Sequence, residues 1–340
     1  MTITTFARAA GAAALAASAA LTLVPARAAE KPFDAKQVKM VIGFGAGGGY
    51  DRWARTIADH MGKHLPGKPK MIAQNMPGAG SFVALNWLTS IAPKDGTVIA
   101  AVARDAALGP LTGNTRAKFD PLKLSWIGTP TGETNVCISY KRAKVKTFDD
   151  LKKMQLLVAD TGPGTGTHVY PKVLNAIIGT KFKLIAGYQS SSTAFLAMER
   201  GEVDGICESY DSVVNKRPTW VKDGTVNVLF QAGTQPEAKI KAPFILDLVK
   251  DPEQVQAMKF LYAGQGIGRP YVAPPGMSAE RLKLIRDAFA VTMKDPDFLK
   301  DARRQKLDVE PKSGEQLEKI MKDIYATPKP LVEKIGKLIK

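Results

Sequence analysis

Reactive and metal-binding side chains are scarce in this sequence, which has three histidines and two cysteines in 340 residues. His60 and His64 stand four apart, a spacing one helix face can offer a metal. No glutamate follows His60, however, as the H-E-x-x-H pattern requires. The pair reads as solvent-facing, and no metal is expected. His168 opens a predicted helix and is expected to pack or bond locally. No G-x-S-x-G nucleophile elbow occurs, and no Ser–His–acid set has an informative spacing. An enzyme is therefore not expected, and neither is a cofactor.

Long apolar runs are equally scarce. The one extended run, Ala9 to Val24, falls short of the roughly 20 residues a spanning helix needs. Arg8 precedes it and Ala26-Arg27-Ala28 follows it, the layout of a cleavable signal peptide over 1–28. No cysteine follows the run, so a lipid anchor is not expected. The mature chain should begin near Ala29 and work in the bacterial periplasm. There, Cys137 and Cys207 favour a disulfide, with two buried free thiols as the alternative.

Acids are outnumbered. The formal charge is +16, and removal of Arg8 and Arg27 leaves +14, because residues 1–28 contain no acid. Export makes a nucleic-acid partner unexpected. A positive surface can instead gather small anions.

What remains is an α/β alternation too long for one simple core, which implies two lobes. Predicted strands cover Val38 to Gly43, Lys70 to Gln74, Thr97 to Ala103, Gln155 to Ala159, Phe182 to Ile185, Val203 to Cys207 and Val226 to Gln231. Predicted helices cover about Asp51 to His64, Phe82 to Ile91, His168 to Ile178 and the segment ending at Arg200. Pro296, Pro311, Pro328 and Pro330 divide a helical tail. Ser313 and Gln316 are spaced as a capping box.

Glycine-rich or hydroxyl-rich turns fill several strand-to-helix junctions. Helix starts present free N–H groups and the positive end of the dipole, so turns facing one cleft can hold an anion without a catalytic side chain. Gly43-Phe44-Gly45-Ala46-Gly47-Gly48 also satisfies G-x-G-x-x-G, which keeps a dinucleotide-binding oxidoreductase as the alternative. Against it, the second strand ends in Gln74-Asn75-Met76, with no acid for a ribose hydroxyl.

These motifs resemble, in order along the chain, those of the Bug-type periplasmic receptors of tripartite tricarboxylate transporters. Phe44-x-x-Gly47-Gly48-x-x-Asp51 is similar to the family's first-strand motif. Asn75-Met76-Pro77-Gly78-Ala79-Gly80 is similar to its second turn. Pro93-Lys94-Asp95-Gly96-Thr97, Gly162-Pro163-Gly164, Gly201-Glu202-Val203-Asp204 and Val272-Ala273-Pro274-Pro275-Gly276 extend the likeness. Gly43 departs from the family's usual proline, Ser190 from a glycine, and Gly268-Arg269 from an aromatic pair.

The resemblance implies a two-lobed periplasmic-binding fold of type II-like form, with a ligand cleft between lobes joined by two crossover strands. Lobe one would comprise 29–138 and 265–340, and lobe two 139–264, with crossings near Val136 to Tyr140 and Gly264 to Val272. It further implies a small organic carboxylate as ligand, membrane permease subunits as partners, and a monomer.

The candidate ligand contacts on lobe one are Phe44, Gly45, Ala46, Gly47 and Gly48 on the first turn and Gly78, Ala79, Gly80 and Ser81 on the second. Those on lobe two are Thr161, Gly164, Thr165 and Thr167, then Tyr188, Ser190 and Ser191. Arg104 and Arg269 are candidates for a bidentate pair with a carboxylate. Asp51 is expected to cap the first helix rather than touch ligand.

Overall fold

A computed structural model describes Phe33 and residues 37–339. The expected signal peptide, 1–28, lies outside the described residues. Among those residues no helix is long and apolar enough to cross a membrane.

The strands, in chain order, are β1 (Val38–Ile42), β2 (Met71–Asn75), β3 (Val98–Ala101), β4 (Ser125–Thr129), β5 (Asn135–Tyr140), β6 (Leu156–Asp160), β7 (Phe182–Ala186), β8 (Gly205–Ser209), β9 (Val226–Ala232), β10 (Tyr271–Ala273) and β11 (Lys312–Ser313). They form two sheets of order β11-β4-β10-β3-β1-β2 and β7-β6-β8-β5-β9. Each sheet carries one lobe. The chain leaves the first sheet after Thr129 and enters the second at Asn135, so Val136–Tyr140 lies inside β5. It returns between Ala232 and Tyr271.

The helices are α1 (Gly49–Met61), α2 (Phe82–Ser90), α3 (Leu108–Leu111), α4 (Phe148–Lys153), α5 (Gly166–Ile178), α6 (Ser191–Arg200), α7 (Tyr210–Lys216), α8 (Pro252–Tyr262), α9 (Ala279–Thr292), α10 (Pro296–Arg304), α11 (Gly314–Tyr325) and α12 (Lys329–Ile339). β1 runs parallel to both β2 and β3, and β6 parallel to β7 and β8. Parallel neighbours need long crossovers, which α1, α2, α5 and α6 supply. Their starts therefore sit at the carboxyl ends of strands, where open α/β sheets bind ligands.

Local chemistry fixes these helix starts. Ser190 and Ser313 each close a capping box, with Thr193 and Gln316. Asp295 caps α10, with Pro296 at its first position. Asp51 sits one turn later than expected. Gly48 occupies the cap position, and the Asp51 carboxylate reaches back to accept from Gly47 N–H at 2.8 Å.

α1 buries Trp53, Ala54, Ile57, Ala58 and Met61 in a core shared with β1 and Phe298 of α10. Full burial of each large side chain contributes about 1.5–3 kcal/mol. His60 and His64 do not form the solvent-facing pair expected. His60 Nε2 on α1 lies 3.3 Å from Asp301 Oδ2, and His64 Nε2, on the 3-10 turn Gly62–His64 that follows α1, lies 2.6 Å from Asp295 Oδ2, so the two fasten α10 to α1 and to that turn. The last helix, α12, packs on α5 of the second lobe, and Lys172 Nζ on α5 donates to Ile339 O at 3.0 Å.

Cys137 and Cys207 face one another in register on antiparallel β5 and β8 and are joined in a disulfide.

Candidate functional site

Three helix starts from both lobes converge on one cavity. It is lined by Gly48, Gly49 and Tyr50 at α1, by Thr165, Gly166 and Thr167 at α5, and by Ser190 and Ser191 at α6. Phe44, Ala103, Arg104, Asp105, Asn135, Thr161, Cys207, Glu208 and Arg269 complete the wall. Each helix has at least ten residues, so each turns the positive end of its dipole to the cavity, although Gly166 N–H at α5 already meets the Asp105 carboxylate and Thr193 N–H at α6 already donates to Ser190 Oγ. The cavity has a volume of about 30 Å³, room for roughly two waters. The lobes are thus shut against each other.

The glycine turns make that closure. Gly45 N–H donates to Gln189 O at 3.0 Å, and Ser192 Oγ donates to Gly47 O at 2.7 Å. A Cβ on Gly80 would lie 2.6 Å from Gly164 N, and one on Gly164 would lie 2.3 Å from Gly80 O. Of the candidate residues, Phe44, Gly48, Arg104, Thr161, Thr165, Thr167, Ser190, Ser191 and Arg269 line the cavity. Gly45, Gly47, Gly80 and Gly164 lie where the lobes meet. Gly78 and Ala79 are half-buried beside them, and Ala46 is exposed. Ser81 Oγ donates to Gly43 O at 3.2 Å and accepts from Ala103 N–H at 3.0 Å, holding its own turn. Tyr188 packs half-buried against the core of the second lobe.

The second-lobe hydroxyls form a closed set. Thr161 and Thr165 Oγ1 both lie within 3.1 Å of a neighbouring threonine hydroxyl, and Thr167 Oγ1 accepts from Thr161 N–H at 2.9 Å. His168 Nδ1 meets Asp160 Oδ2 at 2.7 Å, the local bond expected of it. Phe44 stacks on Tyr50 with ring centroids 4.3 Å apart.

The two arginines come together because β3 and β10 are neighbours: Arg104 follows one and Arg269 precedes the other. Both are buried, at 4% and 2% exposure. The carboxylate they share belongs to the protein. Arg104 Nη1 donates to Glu133 Oε2 at 2.7 Å, and Arg269 Nε donates to Glu133 Oε1. Arg269 Nη2 also donates to Ser212 Oγ of the second lobe at 2.8 Å, and its guanidinium lies 4.4 Å from the Tyr50 ring centroid. Tyr50 OH accepts from Arg104 N–H at 3.1 Å.

A second buried link crosses the cleft. Tyr170 OH on α5 donates to Asp105 Oδ1 at 2.7 Å and accepts from Gln265 Nε2 at the return crossing. Burial pushes the Asp105 carboxyl above its ordinary range, against the pull of Arg104 and the Tyr170 hydroxyl. Burial likewise raises Glu208, opposed by Arg269.

Tyr50, Asp105, Glu133, Asn135 and Glu208 belong to no motif recognisable in the sequence. Their role depends on which strands are neighbours. Tyr50 alone carried a signal, since it follows the glycine turn directly.

The dinucleotide alternative fails on the same turn. Asn75 Nδ2 donates to Phe44 O at 2.9 Å and to Asp51 Oδ1 at 2.7 Å, tying the loop where a ribose acid would be required. Gly45 and Gly47 N–H are already bonded within the protein.

Among solved structures, the fold is similar to the periplasmic binding protein BugD, with a TM-score of 0.72 and 19% identity over 89% of this chain and 99% of that one. It is also similar to MatC of Rhodopseudomonas palustris with bound malate, with a TM-score of 0.70 and 16% identity over 91% and 100% of the two chains. An R. palustris protein with adipate gives 0.68 at 15% identity over 90% and 97%. The UPF0065 protein in the gbd 5′ region of Cupriavidus necator is 27% identical over 96% of each chain. The profile described as tripartite tricarboxylate transporter family receptor matches residues 53–337. The chain therefore belongs to the receptors of the tripartite tricarboxylate transporter family, which are solute-binding proteins and not enzymes.

Proposed function

We propose that this receptor works in the periplasm, binds a small organic carboxylate between its lobes, and passes it to membrane permease subunits. One observation carries the reading. The starts of α1, α5 and α6, drawn from both lobes, meet at one cavity beside two buried arginines. Such a site favours negative charge without a catalytic group. Structural relatives with malate and adipate bound support the ligand class.

The ligand would dock on the open first lobe, at the amides of Gly48 to Tyr50. Hinge bending would then bring in Thr165 to Thr167 and Ser190 to Ser191. With water excluded, the hydrogen bonds at the helix starts strengthen. A cavity of this size admits an organic acid only if the lobes first part, so opening and closing belong to the cycle. The lobes would divide where the chain passes between sheets, at 130–134 and 233–270, so that the first division falls before the expected 138/139 boundary and the second spans the expected 264/265 boundary. The exported chain would begin near Ala29 and act as a monomer, with no cofactor and no nucleic acid.

The test is native mass spectrometry of protein purified from periplasm, followed by titration calorimetry with organic acids. A carboxylate that copurifies and is returned unchanged supports the reading. Chemical turnover of the acid, or indifference to a full panel of acids, would refute it.

A further inference from the structure

A smaller cavity adjoins the ligand cavity and shares Gly49 and Arg269 with it. Its volume is about 10 Å³, the room of a single water. Both lobes build it: Arg52 on α1 shares the wall with Ser212, Asn215 and Lys216 on α7. Gly49 lets the two helices approach, since a Cβ there would lie 2.5 Å from Ser212 Oγ and 2.8 Å from Arg269 Nη2.

Donors crowd this seam. The side chains of Arg52, Asn215 and Lys216 are half-buried, and none makes a hydrogen bond or ion pair among the described residues. Ser212 is 3% exposed. Its Oγ accepts from Arg269 Nη2 at 2.8 Å, and its own proton has no acceptor among the described residues. The nearby acids are committed elsewhere. Glu133 holds Arg269, and Asp51 pairs with Arg55 at 3.0 Å. Asp211, the one acid on this wall, has its Oδ1 3.8 Å from Lys239 Nζ. Burial draws the Arg52 guanidinium below its ordinary range, and the Arg269 charge adds to the effect. Burial does the same to Lys216, followed by the Arg52 charge and opposed by Asp51. Two cations from opposite lobes thus share one small cavity, with no anion of the protein committed to either.

Partly desolvated charges are stable when they are paired or hold an ion. Arginine and lysine offer only donors, and the Ser212 hydroxyl supplies one more. We propose that this seam binds a monatomic anion, chloride, held between the Arg52 guanidinium and the Lys216 ammonium with the Ser212 hydroxyl donating to it. An organic acid has no room in the space of one water, so the site differs from the ligand cavity in the class of anion as well as in place. α1 belongs to the first sheet's lobe and α7 to the second's. Arg52 and Lys216 repel as the lobes shut, whereas an anion between them attracts both. Bound chloride therefore favours closure. The site asks only that the lobes shut, so it stands or falls independently of which organic acid fills the cleft.

The test uses the full mature protein and chloride or bromide as the probe. Crystals soaked in sodium bromide should show an anomalous-scattering peak between Arg52 and Lys216. In solution, the broadening of the chloride NMR line should saturate with chloride and be reversed by bromide. Arg52→Gln and Lys216→Gln should each weaken this binding at least fivefold, and the two together should abolish it. Small-angle scattering should show wild-type protein more compact in sodium chloride than in sodium fluoride at equal ionic strength, and the double variant indifferent to the exchange. The bromide peak decides the matter even if a variant folds poorly. A peak confined to the ligand cavity would overturn the site, and so would broadening that survives both changes, which would mark an adventitious ion only. Equal compaction of the wild type in the two salts would overturn the role in closure.

Discussion

Closure of the cleft depends on one glycine in a way that can be separated from folding. Gly164 has no positive φ, so alanine is compatible with its backbone. A Cβ there would lie 2.3 Å from Gly80 O and 2.7 Å from Phe82 Cε1, both on the first lobe. In the open form that methyl meets nothing across the cleft, and the loss of chain entropy in the unfolded state even favours folding by about 0.4–1 kcal/mol. In the closed form the lobes must part by several tenths of an ångström. Overpacking of this kind costs about 1–3 kcal/mol. Because closure is coupled to ligand binding, Gly164→Ala should weaken affinity about 5- to 150-fold with little change in melting temperature. Calorimetry with the cognate ligand measures the first effect, and small-angle scattering with and without ligand measures the loss of compaction. Gly179→Ala is the control. Its φ is +73° with nothing within 4 Å, so alanine strains the lobe by about 1–2 kcal/mol whether the cleft is open or shut. It should lower the melting temperature and spare binding. Wild-type affinity and full compaction in Gly164→Ala would show that the Gly80 and Gly164 turns do not meet in the bound form.

Replacing both Cys137 and Cys207 with alanine should lower stability by about 4 kcal/mol, since the disulfide closes a loop across a separation of 70 residues. Denaturant titration of oxidised protein against the double variant checks this, and equal midpoints would oppose it. Glu133→Gln should destabilise by about 3–5 kcal/mol, because it leaves two buried guanidiniums facing each other without the acid between them. A melting temperature within a degree of wild type would count against the shared ion pair. Asp211 makes a pH prediction. Burial, and after it the Glu133 charge, outweigh Lys239 at 3.8 Å and lift its carboxyl from 3.8 to about 6. The folded state then holds the proton more tightly than the unfolded one, so this group's contribution falls as pH rises from about 4 to 6. Above that range the penalty is about 3 kcal/mol. Asp211→Asn should therefore raise stability by up to about 3 kcal/mol at pH 7.5 and change it little at pH 3.5, as read from urea midpoints at the two pH values. A loss of stability at pH 7.5 would show that the Lys239 pair dominates.

The parts of the fold that sequence made legible are those governed by short-range chemistry. The strand before each glycine turn and the helix after it stand within about two residues of their predicted places, because periodicity and turn composition act locally. The Ser313–Gln316 capping box formed as spaced. What escaped notice is long-range or atypical. β4, Ser-Trp-Ile-Gly-Thr, is buried at every position, so it shows no alternation by which to find it. β5 reads as a passage between lobes yet forms the strand between β8 and β9. The site divides along the same line. The helix-start residues at α1, α5 and α6 announce themselves by glycine and hydroxyl content. Glu133, Asp105, Asn135 and Glu208 sit in unremarkable segments, and only the return of β10 beside β3 sets the arginines against them. Sequence therefore reveals where an anion is welcome, a property of backbone turns. The charge balance that decides which anion is a property of the folded wall. Glu133 between the two arginines and Glu208 beside Ser209 are placed by strand pairing and not by any turn. Discrimination among ligands should accordingly respond to Glu133 and Glu208 more than to any residue of the glycine turns, whose changes should weaken all ligands alike by hindering closure.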